Sequence, residues 1–110
     1  MPNAVFVVVT NCTDPARETE FNDWYTNTHV PDIIALPGFV AATRYRIVGK
    51  PRDGQGKFLA LYEIQADDPA SAVAGVWRAV PQLAARGRMF DALELTYAAA
   101  YEPITPRLTT

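Results

Sequence analysis

The chain has a single cysteine, a single histidine and a single serine, which removes several chemistries at once. Cys12 has no partner for an intrachain disulfide, and a reducing compartment, the cytoplasm, is the expected location. One His and one Cys do not make a structural zinc site, so no metal is expected. Cys12 and His29 lie at opposite ends of the first expected helix, too far apart for a thiol–imidazole dyad. Ser71 falls in a helical stretch, where a nucleophile elbow cannot form. The glycines of the stretch 49–56 are not at nucleotide-loop spacing and no helix follows them. No cofactor is expected. Long hydrophobic runs are missing too. Ala4 to Val9 is too short for a signal core or a membrane span, and Met1-Pro2-Asn3 carries no basic charge. A net charge of −2 favours neither nucleic acid nor a membrane surface as a partner.

Apolar residues are plentiful, at 49% of 110 residues, enough for one core in one domain. That domain is expected over residues 1–102, with 103–110 as a C-terminal tail. A chain this short buries a limited share of its surface, so association would help it. Its positive charge is mostly arginine, eight against Lys50 and Lys57, which leaves an anionic ligand open.

Ala4 to Thr10 reads as a strand, β-branched and without helical period. Asp14-Pro15 opens a helix, with Asp14 as N-cap and Pro15 at the first position. Pro31 should end or kink that helix beside His29. Leu36-Pro37-Gly38 is a turn, Phe39 to Val48 a second strand, the glycine-rich stretch 49–56 a hairpin loop and Lys57 to Gln65 a third strand. Asp68-Pro69 repeats the capping signal and opens a second helix with a stripe of Val73, Val76, Trp77 and Val80. Pro81 to Gly87 reads as irregular or briefly helical, and Met89 to Tyr101 as a long last strand. The order βαββαβ is that of the ferredoxin-like split unit, an α+β fold with a four-stranded antiparallel sheet and two helices on one face. Its central strands are the first and third. Val5 to Val9 and Phe58 to Tyr62 are apolar on both faces, whereas a sheet with one wet face would alternate. A second copy packed sheet to sheet is the expected cover, which predicts a homodimer.

On the first helix Phe21, Trp24, Tyr25, Thr28 and His29 fall at i, i+3, i+4, i+7 and i+8, one face. The aromatic residues point that face at the core, and it carries His29 inward with them. Imidazole is the side chain most easily tuned for proton transfer near neutral pH.

The string Glu20-Phe21-Asn22-Asp23-Trp24-Tyr25, followed by His29, Pro31, Asp32 and Leu36-Pro37-Gly38-Phe39, resembles the dimeric α/β-barrel superfamily and, within it, the small stand-alone EthD-like proteins. Their pattern is W-Y-x-x-x-H-x-P on a helix and then a P-G-F turn. The superfamily includes cofactor-free monooxygenases, aromatic cyclases, lactone isomerases and haem-handling enzymes. The resemblance implies a ligand held between the sheet and the helices of one protomer, faced by His29, Tyr25 and Trp24.

His29 is the leading candidate, either as general acid/base in a pocket or as a buried histidine bonded to backbone. Tyr25, one turn earlier, would be its catalytic partner. Trp24 and Phe21 would be pocket wall or core. Asn22 lies off the stripe and should be solvated. Asp32 would orient His29 or cap the next turn. Arg44 is an edge-strand cation or an anion clamp at the pocket mouth. Glu63 interrupts an apolar central strand and must be paired, protonated or in a wet cavity; ligand contact and an interface pair are both open. Tyr62, Tyr97 and Trp77 are further substrate-binding candidates. The expected function is a small cofactor-independent enzyme acting by proton transfer (isomerase, cyclase or lyase type) on an apolar cyclic or aromatic metabolite. The alternatives are a cofactor-free monooxygenase of a phenolic substrate and a non-catalytic protein binding a small molecule or haem.

Overall fold

The computed structural model describes residues 2–110. Its elements run β1 (Ala4–Cys12), a 3-10 turn (Pro15–Arg17), α1 (Glu18–Trp24), a π turn (Tyr25–His29), α2 (Val30–Ile34), β2 (Phe39–Arg46), β3 (Phe58–Ile64), α3 (Pro69–Ala85) and β4 (Leu93–Tyr101). The four strands form one antiparallel sheet in the order β2-β3-β1-β4, with the first and third strands at its centre. This is the expected ferredoxin-like α+β fold.

Both helical segments start as their sequences dictate. The Asp14 carboxylate accepts the Ala16 N–H at 3.0 Å, and the Asp68 carboxylate accepts the Ala70 N–H at 3.1 Å. Each satisfies a donor left free at a helix start, and each is followed by Pro at the first position.

The parity that the strand sequences leave open is settled by burial. Ala4, Phe6 and Thr10 of β1 and Phe58, Ala60, Tyr62 and Ile64 of β3 are buried in one core with Phe21, Tyr25 and Ile33 from the first helical rod and Ala72, Val76 and Leu83 from α3. The helices therefore share one face. Val5, Val7, Val9, Leu59, Leu61 and Glu63 alternate onto the other face, where they are half-buried and, among the described residues, no helix or strand packs over them.

Two local expectations need correction, and one of two alternatives is decided. Beside His29 the helix is made irregular rather than ended by Pro31. A π turn lies directly upstream, with the Val30 N–H reaching the Tyr25 carbonyl, and α2 then continues to Ile34. The wide turn takes up the irregularity that a proline imposes on the ladder. Residues 81–85 are regular helix despite Pro81, because Leu83 extends the buried stripe of Val76 onto the sheet. Residues 89–92 are not strand: Met89 and Phe90 turn inward against the core and β4 begins only at Leu93. Residues 102–110 form no helix or strand and lie exposed.

Candidate active site

The π turn decides how His29 is held. In an α-helix, residues i and i+4 are neighbours and i+5 rotates away; in a π turn the rise brings i and i+5 into line. Trp24 accordingly stacks on the His29 ring, centroids 4.8 Å apart and planes 21° from parallel. Tyr25 meets the same ring edge-on at 4.9 Å and 88°. The imidazole is thus held between the two aromatic residues that precede it.

Arg88 fixes this arrangement from outside. Its carbonyl accepts the Trp24 indole N–H at 2.8 Å, and its guanidinium donates to both Asp32 oxygens at 2.7 and 3.1 Å. Asp32 therefore neither orients His29 nor caps a turn. It is half of a bidentate pair with a cation from beyond α3.

Next to His29 lies an apolar cavity of about 180 Å³ between the helices and the sheet. Tyr25, Tyr62, Trp77 and Thr10 line it with His29, and aliphatic and aromatic side chains, Phe6, Val8, Ile33 and Val76 among them, supply the rest of its wall. Trp77 is 47% exposed and stands at its outer side, edge-on to Phe6. Among the described residues, four buried side-chain polar atoms lack a hydrogen-bond partner. Three of them, Thr10 Oγ1, His29 Nδ1 and the Tyr62 hydroxyl, belong to residues of this cavity.

The electrostatics follow from burial. His29 is only 7% exposed. Loss of hydration lowers its pKa to about 4, with the Asp32 carboxylate pulling it upward and the Arg44 cation pressing it down. The ring is neutral at physiological pH and free to accept a proton. Burial raises the Tyr25 phenol, opposed by the Tyr62 and Thr10 hydroxyls and by Arg44. Burial raises the Tyr62 phenol as well, helped by Tyr25. Both phenols stay protonated and can donate.

The expected site residues divide into three groups. His29, Tyr25, Tyr62 and Trp77 border one cavity. Trp24 and Phe21 stand behind it: Trp24 supports the imidazole, and Phe21 is fully buried between Trp24, Tyr25, Phe58 and Phe90. Glu63, Tyr97 and Arg44 are not part of it. Glu63 pairs with Val5 and Ala41 on the face turned away from the helices, because its parity is opposite to that of Tyr62. Tyr97 pairs with Val9 on that same outer face, where its hydroxyl meets that of Tyr101. It borders a wider groove of about 330 Å³ there, with Tyr45 and the loop 54–57.

Arg44 points inward and is engaged by the protein itself. Its guanidinium lies 4.4 Å over the Tyr25 ring and donates to the Thr26 hydroxyl at 3.0 Å and the Asn22 side-chain oxygen at 2.8 Å. Asn22 is accordingly a partner of Arg44 rather than a solvated residue. Thr10 is the polar residue that the sequence reasoning missed. Its signal was parity, since it shares the inward register of Ala4 and Phe6 at the end of a strand. The cavity volume is below that of a porphyrin, so haem bound at His29 would have to extend beyond it past Trp77. Among the described residues no three His, Cys, Asp or Glu side chains gather as a metal site.

Residues 4–72 match the family described as a domain of unknown function, DUF4286. The chain belongs to that family. No curated protein sequence matches it. Among solved structures, the chain is similar to HapK from Hahella chejuensis, with 17% identity over 97% of this chain and 98% of that one, at a TM-score of 0.66. An EthD family protein from Bacillus halodurans matches at 21% identity, 94% and 100% coverage and a TM-score of 0.57. The monooxygenase ActVA-Orf6 of Streptomyces coelicolor, solved with nanaomycin D, matches at 19% identity, 99% and 94% coverage and a TM-score of 0.54. At these identities the likeness establishes the fold alone, a ferredoxin-like four-stranded antiparallel sheet with its helices on one face.

Proposed function

We propose that this protein is a small-molecule enzyme in which neutral His29 removes a proton from an apolar, ring-bearing substrate held between helix and sheet. The observation that carries the proposal is the set of unpartnered buried polar atoms around one apolar cavity. Leaving such atoms unpaired costs about 1–3 kcal/mol each, a cost that a ligand repays and a purely structural core has no reason to bear. Of the three, His29 is the base. Tyr25 donates a hydrogen bond to the oxyanion that develops as the proton leaves. Trp24 keeps the imidazole in position, and Trp77 flanks the ligand. A cavity of about 180 Å³ accepts a single ring fully; an apolar cavity of about 150 Å³ holds benzene. Larger ring systems would extend outward past Trp77.

Proton removal next to a carbonyl leads to isomerisation, cyclisation or lyase-type cleavage. A second outcome is oxygenation, with dioxygen as the oxidant, because the enolate or phenolate left behind is electron-rich. It is favoured by the Streptomyces coelicolor monooxygenase and by a protein from Shewanella loihica described as a putative monooxygenase, which shares the fold at 17% identity and a TM-score of 0.56. Both outcomes begin with the same step at His29. The working unit we propose is a homodimer joined through the outer sheet faces, supported by the uncovered Val5, Val7, Val9, Leu59 and Leu61 and the exposed Tyr45, Tyr97 and Tyr101.

The test uses 2-indanone, a ring ketone with acidic C–H bonds beside its carbonyl, in deuterated water. The wild type is expected to speed deuterium exchange into those positions, and His29→Gln to lower the rate by about 100-fold or more, the usual contribution of a positioned base. An oxygen electrode run in parallel separates oxygenation from the redox-neutral reactions. Undiminished exchange in the variant would remove His29 from the chemistry, and a non-catalytic binder would retain the ketone without exchanging it.

A further inference from the structure

We propose that Thr10 and Tyr62, with the Tyr25 phenol beside them, form an oxygen-recognition site in the cavity that takes the carbonyl or enolate oxygen of a ring-bearing ligand. The inference deepens the proposed function and rests on the cavity being a ligand site.

Thr10 is 2% exposed and Tyr62 1% exposed, and neither hydroxyl has a hydrogen-bond partner. Two other threonines of the chain do have partners. Thr96 donates to the Val9 carbonyl at 3.0 Å, and the Thr26 hydroxyl accepts from Arg44. The two unpaired hydroxyls come from neighbouring central strands, β1 and β3, on the face that borders the cavity. The Tyr25 phenol, from the helical layer above the sheet, borders the same cavity. Three hydroxyl groups thus converge from three elements in a wall that is otherwise almost wholly apolar.

The chemistry of the cluster narrows the ligand. Hydroxyls that stay protonated donate to an oxygen, and rigid donors already in place stabilise charge that grows on it. Arg44, on the Tyr25 ring at 4.4 Å, adds positive potential without a direct contact, because its Nη1 and Nη2 already donate to Thr26 and Asn22. A full carboxylate would lose its hydration here and gain no charged partner. A ketone or quinone-type oxygen loses little and gains two or three donors.

The experiment is calorimetric titration of 2-indanone and of indane, the same ring system without the oxygen. Wild-type protein is expected to bind 2-indanone about tenfold tighter than indane, as one or two good hydrogen bonds allow. Thr10→Val and Tyr62→Phe should each weaken 2-indanone binding about fivefold or more and leave indane unchanged. His29→Gln should keep the preference. In thermal melts without ligand, both hydroxyl-deleting variants should melt higher by about 4 °C, since each removes an unsatisfied buried group. Lower melting would mean that the hydroxyls serve the protein's own structure, which overturns the proposal. Equal binding of ketone and hydrocarbon, with deuterium exchange intact, overturns the oxygen site and leaves His29's role standing. Failure of both compounds to bind overturns the two together.

Discussion

His29 differs from an ordinary core histidine in what touches it. A structural histidine ties at least one ring nitrogen to backbone; here Nδ1 is buried and unpaired while aromatic rings fix the ring plane. Because it is the only histidine, its imidazole C–H signals in a proton NMR titration are unambiguous. Their midpoint is expected near pH 4 rather than 6.5; a midpoint above 6 would mean the ring is hydrated. The same depression links folding to acid. Between pH 6.5 and about 4 the unfolded chain binds a proton at this site and the folded chain does not, so stability falls as pH is lowered through that window. The loss attributable to His29 approaches about 3 kcal/mol below pH 4. Urea unfolding of wild type and His29→Gln at pH 7 and pH 4 should show the wild type losing more; parallel losses would contradict the burial of a neutral ring.

At the scale of elements, two irregular positions set the site. The π turn inserts one extra residue and so brings Trp24 over His29, a contact that a regular helix would not make. The turn after α2 returns the chain to the sheet through Gly38, at φ +93°, where an added Cβ would lie 2.9 Å from the Ala72 side chain of α3. Gly38→Ala combines a disfavoured backbone with a clash and is expected to cost about 1–3 kcal/mol, seen as a lower denaturant midpoint. A neutral result would mean that α3 is free to move off the turn. The strands, the capped helix starts and the Leu36-Pro37-Gly38 turn were legible in the sequence because periodicity, Asp-Pro pairs and Gly-Pro punctuation are local. The continuation of both helices past Pro31 and Pro81 was not, since burial of Ile33 and Leu83 on the sheet outweighs a local breaker.

For the whole molecule, the outer sheet face is the surface open to a second copy. Leu61 sits in its middle, paired with Val7 and Thr43 across neighbouring strands. In a sheet-to-sheet dimer, Leu61→Lys on each copy would bury two unpaired charges at the contact, which costs several kcal/mol. Sedimentation equilibrium is expected to show a wild-type dimer and a monomeric variant that stays folded. A wild type that sediments as a monomer would discard the pairing. No helix among the described residues is long and apolar enough to cross a membrane.

The amino-acid sequence by itself determined the element order, the α+β class and the inward course of His29 on an aromatic helix face, because each depends on spacing within one segment. Only the tertiary structure decided strand parity, and with it which residues meet. It brought Tyr62 and Thr10 to the His29 cavity and turned Glu63 and Tyr97 to the far side, since a shift of one residue along a strand exchanges its faces. It also drew Arg44 onto Asn22 and Thr26, and Arg88 onto Asp32. Those pairings join residues far apart in sequence, and no local pattern encodes them.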